Sequence, residues 1–314
     1  MDLLYESILL FVGFVLLIKG ADYFVEGSSA FAQRFHIPSM IIGLTIVAMG
    51  TSLPECAVSV MASLAGKNTL AIANVVGSNI FNLLVVCGFS ALFISLPVSP
   101  KTLKGEFPFS LFCALALGIL GFSHMILNRA EGVILLTMFV LYIIYMIVSA
   151  SKARHEANDE YQDTVSIPLW KCFIFIIGGM ITIKFGGDFV VDGATGIAYA
   201  LGMSQNLIGL TIVALGTSLP ELVTSIVAAR KGESDMALGN VIGSNIFNIL
   251  FVLGIASSIS PIAVVNENLI DIVILMVFSA VVLLIAFYQQ KLDRKAGIIM
   301  LSLYTVYLIY IIMR

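Results

Sequence analysis

The sequence contains one segment of about half its length written twice. Residues 42–55 read IGLTIVAMGTSLPE and residues 208–221 read IGLTIVALGTSLPE, with thirteen of fourteen positions identical. ANVVGSNIFN at 73–82 returns as GNVIGSNIFN at 239–248, and GADYFVEG at 20–27 returns more faintly as GGDFVVDG at 186–193. All three pairs are offset by 166 positions. A constant offset indicates a duplicated structural unit, so the two halves should share one fold.

Composition predicts that both halves lie in a membrane. The 314 residues are 60% hydrophobic and 11% charged, and the mean hydropathy is +1.06, whereas a soluble domain carries about 25% charged residues. Apolar segments recur along the whole chain, which predicts an all-α polytopic protein in a lipid bilayer. Ten spans fit this pattern: 3–26, 37–65, 70–96, 106–122, 130–150, 168–200, 206–230, 235–260, 268–288 and 296–313.

An odd number of spans in each half predicts that the second half is inverted. Residues 1–150 would form the first five-helix repeat, 151–167 a cytoplasmic linker, and 168–314 the second repeat, entering the membrane from the opposite side. Of the fourteen Lys and Arg outside the spans or at their ends, eleven fall on one face. This excess places that face in the cytoplasm and both termini outside the cell membrane. Inverted halves are typical of alternating access, although some channels also have them.

Several classes of function find no support in the sequence. It contains nothing that resembles a phosphate loop, a catalytic triad or a nucleic-acid motif. We therefore expect a transporter that is not an enzyme and uses no cofactor or nucleic-acid partner. The four cysteines lack metal-type spacing and are expected to be small buried hydrophobes. A monomer would suffice, and the sequence does not predict an oligomeric state.

Each GTSLPE segment places a glutamate inside an apolar span. In the first copy Ala48, Thr51, Ser52 and Glu55 share one helical face. Pro54 has no N–H and should break the helix, which frees carbonyl oxygen that is costly in lipid unless it meets a cation or a polar cavity. The second copy repeats these groups with Ala214, Thr217, Ser218 and Glu221.

The GSNIFN segments add a second set of oxygens. Each contains a serine and an asparagine at i and i+4, namely Ser78 with Asn82 and Ser244 with Asn248. These side chains would either bind an ion or hold helices together, since hydroxyl and amide groups do both in membranes. The other asparagines, Asn74, Asn79, Asn240 and Asn245, are expected to brace the site. The acidic residues Asp22, Glu26, Asp188 and Asp192 lie near span ends and are expected to be interfacial solvated charges, with lining of the ion entrance as the alternative.

The donor set predicts a hard cation. It offers carboxylate, hydroxyl, amide and backbone oxygen, which suits Ca²⁺ with its 6–8 oxygen ligands at about 2.3–2.6 Å and disfavours zinc, copper or iron. Two glutamates match the charge of one Ca²⁺, and several Na⁺ would fit the same shell, so exclusive occupancy would produce antiport. Two nearby carboxylates repel each other without a cation, so protons should compete. A Ca²⁺/H⁺ antiporter and a cation channel therefore stay open as alternatives.

The doubled GTSLPE and GSNIFN segments resemble the alpha repeats of the cation/calcium antiporter superfamily, and most closely those of its prokaryotic sodium/calcium exchangers. The resemblance covers essentially the whole chain. It implies ten helices, with spans 2, 3, 7 and 8 as a core and spans 1 and 6 as a sliding pair. It also implies exchange of several Na⁺ for one Ca²⁺, normally in the direction of Ca²⁺ extrusion.

The resemblance also implies roles for individual residues. Calcium would be bound by Glu55 and Glu221 with oxygens near Thr51 and Thr217. Sodium would use the same glutamates with Ser52, Ser218, Ser78, Ser244, Asn82, Asn248 and the carbonyls of Ala48 and Ala214. Potassium-dependent relatives carry aspartate at the positions of Glu221 and Asn248, so this chain is not expected to co-transport potassium.

Overall fold

The computed structural model describes residues 3–66, 69–157, 167–203, 212 and 214–314. Within these ranges eight helices are long and apolar enough to cross a membrane, and one bent pair would make a ninth. The prediction of an all-α polytopic membrane protein is confirmed. In chain order the helices are α1 (Leu3–Arg34), α2 (Ser39–Thr51), α3 (Leu53–Leu64), α4 (Thr69–Phe93), α5 (Pro100–Lys104), α6 (Glu106–His124), α7 (Arg129–Ala157), α8 (Leu169–Ala200), α9 (Ala214–Gly216), α10 (Leu219–Arg230), α11 (Ser234–Ile259), α12 (Asn266–Gln289) and α13 (Arg294–Met313).

Two helices run further than the hydropathy predicts. The first ends at Arg34, not at 26, and α7 continues to Ala157, into the predicted linker. Residues 158–166 of that linker lie outside the described residues, as do 204–211 and 213, which include the start of the predicted seventh span. Hydropathy marks where lipid contact ends, whereas helical hydrogen bonds continue into the polar region. A helix of 32 residues is about 48 Å long and exceeds the ~30 Å hydrocarbon core.

Four acidic residues lie inside the two helices of 32 residues. Asp22 and Glu26 lie within α1, and Asp188 and Asp192 lie within α8. That they are interfacial charges, or that they line the ion entrance, stays a prediction, because helix length alone does not place the membrane boundary.

The helix breaks predicted at the two prolines are present. The chain bends by 48° between α2 and α3, and Ser52 at the break has φ −85° and ψ 8°, outside the helical region. Ser218, at the equivalent place before α10, has φ −93° and ψ 4°. Pro54 and Pro220 follow in the first turns of α3 and α10, where a missing N–H costs nothing.

Two helices form the centre of the bundle. In α4 and α11, 78% of the most apolar window is buried, against 22–33% in the other unbroken membrane helices of the described part. Each carries a wider, π-helical turn, Asn82–Val86 in α4 and Asn248–Val252 in α11. Such turns are frequent at functional sites because they expose backbone and re-aim side chains.

The first and sixth predicted spans, α1 and α8, pack closely against each other in antiparallel directions. Gly13 faces Val190, whereas Gly20, one heptad later, faces Ile183. A Cβ atom added to Gly20 would approach the backbone nitrogen of Ile183 to 2.8 Å. Small residues thus allow the two backbones to meet, as is usual in membrane helix pairs.

In the described part of the chain, four two-residue strands join the two halves. Strand β1 (Leu96–Pro97) pairs antiparallel with β4 (Lys291–Leu292), and β2 (Ile126–Leu127) pairs antiparallel with β3 (Ile262–Ala263). Each pair takes one strand from each half. The halves are therefore interlocked and do not stand side by side as separate domains.

Candidate cation site

Glu55 and Glu221 occupy equivalent places at the proline breaks. Each lies in the first turn of the helix that follows a break, and both side chains are fully buried. Backbone N–H groups are free at a helix N-terminus and carry partial positive charge, which favours a carboxylate there. The breaks thus position one acidic group from each half in the interior.

The two glutamates are held across the contact between the halves. Ser52 Oγ donates to Glu221 Oε1 at 2.7 Å, and Ser218 Oγ donates to Glu55 Oε1 at 3.0 Å. The exchange is reciprocal because the two serines are equivalent residues of the repeat. Each half therefore orients the carboxylate of the other, and both carboxylates belong to one common site.

Several buried oxygens of this site have no hydrogen-bond partner among the described residues. Buried polar atoms are normally satisfied, so unsatisfied ones need an explanation. They come from both glutamates and both GSNIFN asparagines: Glu55 Oε2, Glu221 Oε2, Asn82 Oδ1, Asn248 Oδ1 and Thr217 Oγ1. All are hard oxygen donors, and a bound cation would satisfy them together. The amide nitrogen of Asn82 is also without a partner.

Thr51, Ala48 and Ser244 form a connected group beside the carboxylates. Thr51 Oγ1 lies 3.1 Å from the carbonyl oxygen of Val47 and 3.3 Å from that of Ala48. The Ala48 carbonyl also accepts from Ser52 N at 3.1 Å and from Ser244 Oγ at 3.4 Å. This carbonyl, expected to be a sodium ligand, is therefore at the site but already shared by protein donors.

The remaining predicted site residues are less connected. Ser78 is buried on α4, one turn before Asn82. Ala214 is the first residue of α9, and its neighbours 204–211 and 213 lie outside the described residues. Hydrogen bonds therefore join five of the predicted site residues in one group, namely Glu221, Ser52, Ala48, Thr51 and Ser244, and they join Glu55 to Ser218 in a second, whereas Asn248 bonds to Asn79.

Two asparagines outside the predicted ligand set, Asn74 and Asn240, donate hydrogen bonds to the backbone carbonyls of the two glutamates. Asn74 Nδ2 donates to Ser59 Oγ at 3.1 Å and to the Glu55 carbonyl at 3.4 Å. Asn240 Nδ2 does the same with Ser225 Oγ at 2.9 Å and the Glu221 carbonyl at 3.4 Å. Sequence reasoning did not identify Ser225, although its offset of 166 from Ser59 was a usable signal.

The other two asparagines clamp α4 to α11. Asn79 Nδ2 donates to the Asn245 carbonyl at 3.1 Å, and Asn245 Nδ2 donates to the Asn79 carbonyl at 3.2 Å. Asn248 Nδ2 donates to Asn79 Oδ1 at 3.2 Å. The clamp holds the two central helices in register next to the carboxylates.

A cavity of about 340 Å³ lies beside the breaks. Thr51, Pro54 and Pro220 line it from the site, and Met180, Ile183 and Lys184 line it from α8. The cavity reaches Thr51 and therefore abuts the hydrogen-bonded group described above.

The family model described as sodium/calcium exchanger protein matches residues 6–148 and again residues 171–313. The chain belongs to this family. The exchanger is 30% identical over 339 residues to the sodium/calcium exchanger MaX1 of Methanosarcina acetivorans, which covers 96% of this chain and 97% of that protein. It is 38% identical over 265 residues to the inner membrane protein YrbG of Escherichia coli, covering 82% of this chain and 81% of that protein.

A solved structure extends the similarity to the fold. The sodium–calcium exchanger NCX_Mj, soaked with Na⁺ and Sr²⁺, superposes on the exchanger with a TM-score of 0.85 at 32% identity, covering 97% of this chain and 98% of that one. The resemblance drawn from the repeated motifs is confirmed. Membership places the protein among multi-pass membrane transporters that exchange Ca²⁺ and other cations.

Proposed function

We propose that the protein is an electrogenic antiporter of the cytoplasmic membrane that exchanges several Na⁺ for one Ca²⁺ and normally extrudes Ca²⁺. The observation that carries the proposal is the reciprocal pair of serine–glutamate hydrogen bonds, which unites two buried carboxylates in one oxygen-only site. Two negative charges balance one Ca²⁺. Na⁺ ions bound to the same oxygens exclude Ca²⁺, so Na⁺ and Ca²⁺ occupy the site alternately.

The proposed ligands are those predicted from the sequence. Ca²⁺ would bind Glu55 and Glu221 with oxygens of Thr51 and Thr217. The Na⁺ sites would add Ser52, Ser218, Ser78, Ser244, Asn82, Asn248 and the carbonyls of Ala48 and Ala214. Support comes from the unpartnered buried oxygens of Glu55, Glu221, Asn82, Asn248 and Thr217. With Glu221 and Asn248 in place of aspartates, the proposal includes no potassium.

The proposed transport mechanism is alternating access by two inverted halves. Ten spans, of which the seventh comprises 206–230, would divide into repeats 1–150 and 168–314. Support comes from the antiparallel packing of α1 on α8 and from strand pairs that each join one half to the other. Two interlocked inverted units have two related arrangements, each opening the site to one side. The positive face would be cytoplasmic and both termini outside.

Radioactive Ca²⁺ uptake into liposomes containing the purified protein tests the proposal. The liposomes are loaded with Na⁺ and diluted into Na⁺-free buffer at constant pH. We expect uptake that needs the outward Na⁺ gradient and increases when a potassium–valinomycin potential makes the interior positive. More than two Na⁺ leaving for each Ca²⁺ that enters carry net positive charge outward, so an interior-positive potential favours Ca²⁺ uptake. Empty liposomes and liposomes with equal Na⁺ on both sides serve as controls.

Two further arms separate the alternatives. Uptake driven by a pH gradient without Na⁺ would replace the proposal with a Ca²⁺/H⁺ antiporter that uses the same glutamates as proton carriers. Downhill Ca²⁺ flux without any counter-ion, with single-channel currents in planar bilayers, would replace it with a channel.

A further inference from the structure

One buried carboxylate away from the two glutamates has an oxygen without a partner. Glu106 is the first residue of α6 and is 5% exposed, and its Oε2 accepts no hydrogen bond from the described residues. It lines a groove of about 430 Å³ between α6 and α7. The other walls of the groove include aromatic and methionine side chains: Phe109, Phe112, Tyr142, Tyr145 and Met146. A carboxylate oxygen in such surroundings needs a hydrogen-bond donor or a cation.

The second half contains an equivalent carboxylate. After the third span the repeat offset shortens from 166 to 165, since Met125 and Gln290 share left-handed φ angles of 56° and 53° and strands β2 and β4 follow them directly. The pair α6 and α7 therefore corresponds to the pair α12 and α13. At this offset an acidic residue and two tyrosines recur, with Glu106, Tyr142 and Tyr145 matched by Asp271, Tyr307 and Tyr310.

In the second half the chain itself supplies a cation to this carboxylate. Arg314 Nη1 lies 3.1 Å from Asp271 Oδ1 and 3.2 Å from its Oδ2, and the guanidinium group lies 5.6 Å from the centre of the Tyr310 ring. The residue of the first half at the position of Arg314 is Ser149, which has no charge. The fold thus accommodates an N–H-bearing cation beside an acid and a tyrosine ring, and the equivalent acid Glu106 has no such group from the described residues.

The groove lies where α6 changes from polar to apolar sequence. Two exposed lysines, Lys101 and Lys104, precede Glu106, and residues 107–122 carry no charge. Such a transition marks the level at which lipid headgroups meet acyl chains. Phe112, further along the groove, is 50% exposed, so the groove is accessible from the bilayer. A lipid in the groove has its polar end beside Glu106.

We propose that this groove binds a phospholipid with a primary ammonium headgroup, of the phosphatidylethanolamine type, from the leaflet on the lysine-rich face. The ammonium group donates to Glu106 Oε2, as the guanidinium group of Arg314 donates to Asp271. An acyl chain lies against Phe109 and Phe112. A choline headgroup has the same charge but no N–H to donate, so it leaves the buried acceptor unsatisfied. The inference does not depend on the proposed cation exchange.

Native mass spectrometry of the purified protein in detergent tests the inference. The lipids are phosphatidylethanolamine, phosphatidylcholine and phosphatidylglycerol with identical acyl chains, each titrated against the protein. Phosphatidylethanolamine should bind at least about tenfold more tightly than phosphatidylcholine, the effect of one charge-assisted hydrogen bond. Phosphatidylglycerol should bind no more tightly than phosphatidylcholine. Glycerophosphoethanolamine, which has the same headgroup without acyl chains, should not displace the lipid at equal concentration.

Two variants locate the site. Glu106→Gln removes the charge and should reduce the preference for phosphatidylethanolamine to about twofold or less. Ser149→Arg introduces the cation that the second half already has, so it should remove the preference too and raise the thermal unfolding midpoint in detergent. Glu131→Gln is the control and should keep the preference, since that buried carboxylate on α7 already accepts from Asn128 N.

Other results would overturn the inference. Equal affinity for phosphatidylethanolamine and phosphatidylcholine would mean that Glu106 is a neutral acid without a ligand. Tightest binding of phosphatidylglycerol would indicate that the lysines bind phosphate instead, and displacement by glycerophosphoethanolamine would exclude a lipid as the required occupant. A preference that survives Glu106→Gln would place the site elsewhere. If Glu106→Gln fails to fold, Ser149→Arg decides: a lost preference supports the site, and a retained one refutes it.

Discussion

The two halves of the molecule match closely at the carboxylates and differ beside them. Ser52 holds Glu221 as Ser218 holds Glu55. The asparagine braces behind the two glutamates match as well, with the same pair of acceptors in each half. In the proposed site both halves would bind one ion, so each would need the same chemistry.

The acidic residues of α1 and α8 do not follow this symmetry. Asp22 pairs with Lys231 at the end of α10, with Nζ and Oδ1 2.7 Å apart. Its equivalent, Asp188, pairs with Lys184 on its own helix. The first half has Ile18 where the second has Lys184. In the inverted arrangement proposed above, these flanks face opposite sides of the membrane, so they are free to differ.

A smaller asymmetry reaches the site itself. Thr51 Oγ1 lies 3.1 Å from Asn240 Oδ1, and Asn248 donates to Asn79. Their equivalents, Thr217 Oγ1 and the Asn82 amide, have no such bond within the described ranges. In the proposed alternating-access mechanism, a structure that opens the site to one side must have different contacts in its two halves, since identical halves would open the site equally to both sides.

The largest expected effect tests the symmetry of the carboxylates. Glu55→Gln or Glu221→Gln should each lower Ca²⁺ transport to less than about one hundredth, because a buried charge that neutralises the ion is lost. Ca²⁺ uptake by proteoliposomes measures this, and size-exclusion chromatography confirms folding. Glu131→Gln is the control, since that buried carboxylate accepts from Asn128 N instead. Near-normal transport in either site variant would refute a shared two-glutamate site.

The second prediction tests the symmetry of the packing between α1 and α8. Gly20→Ala and its equivalent Gly186→Ala should each destabilise the protein by about 1–3 kcal/mol, since the new methyl group would meet backbone nitrogen at 2.8 and 2.5 Å. The thermal unfolding midpoint in detergent should drop by several degrees in both. Gly178→Ala, with no heavy atom within 4 Å of the added Cβ, should not lower it. Equal losses in all three would argue against close packing as the cause.

The third prediction uses the asymmetry of the braces. Asn240 bonds to the Thr51 hydroxyl as well as to the Glu221 carbonyl and Ser225, whereas among the described residues Asn74 bonds to the Glu55 carbonyl and Ser59 alone. Asn240→Ala should therefore raise the KM for Ca²⁺ roughly tenfold, the equivalent of one lost buried hydrogen bond, and Asn74→Ala should raise it less. Uptake rates against Ca²⁺ concentration measure both. A larger effect from Asn74→Ala would reverse the comparison.

The smallest expected effect concerns the neutral amide of Asn248. Asn248→Asp adds a carboxylate to the site and removes the donor to Asn79, so it should change cation preference or pH dependence by several-fold. Asn74→Asp lies behind the glutamate and should change them less. Competition between Ca²⁺ and Na⁺ at a series of pH values measures the difference. Equal effects would place Asn248 outside the ligand shell.

Much of the candidate site was predictable because its residues stand out locally. A glutamate beside a proline in an apolar span has few structural explanations. Because it recurs at a fixed offset, the sequence alone predicts one such glutamate in each half. The helix breaks followed in the same way, since Pro54 and Pro220 lack an N–H group wherever they occur.

The partners of the polar groups were not predictable. Nothing in the spacing of Ser52 indicates that it holds Glu221 and not Glu55, its neighbour on the same helix face. Lys184 was visible as a charge within a span, but its place in the wall of the cavity depends on how α8 packs against the breaks.

By itself, the sequence determined that this is a duplicated membrane protein with two buried carboxylates and an oxygen-only set of donors. These properties depend on residue type and periodicity, which are local. The tertiary structure alone decided which half holds which glutamate, how far α1 and α7 extend, and that Lys184 of α8 lines the cavity beside the helix breaks. Such features arise from contacts between residues far apart in the chain, so local sequence patterns do not predict them.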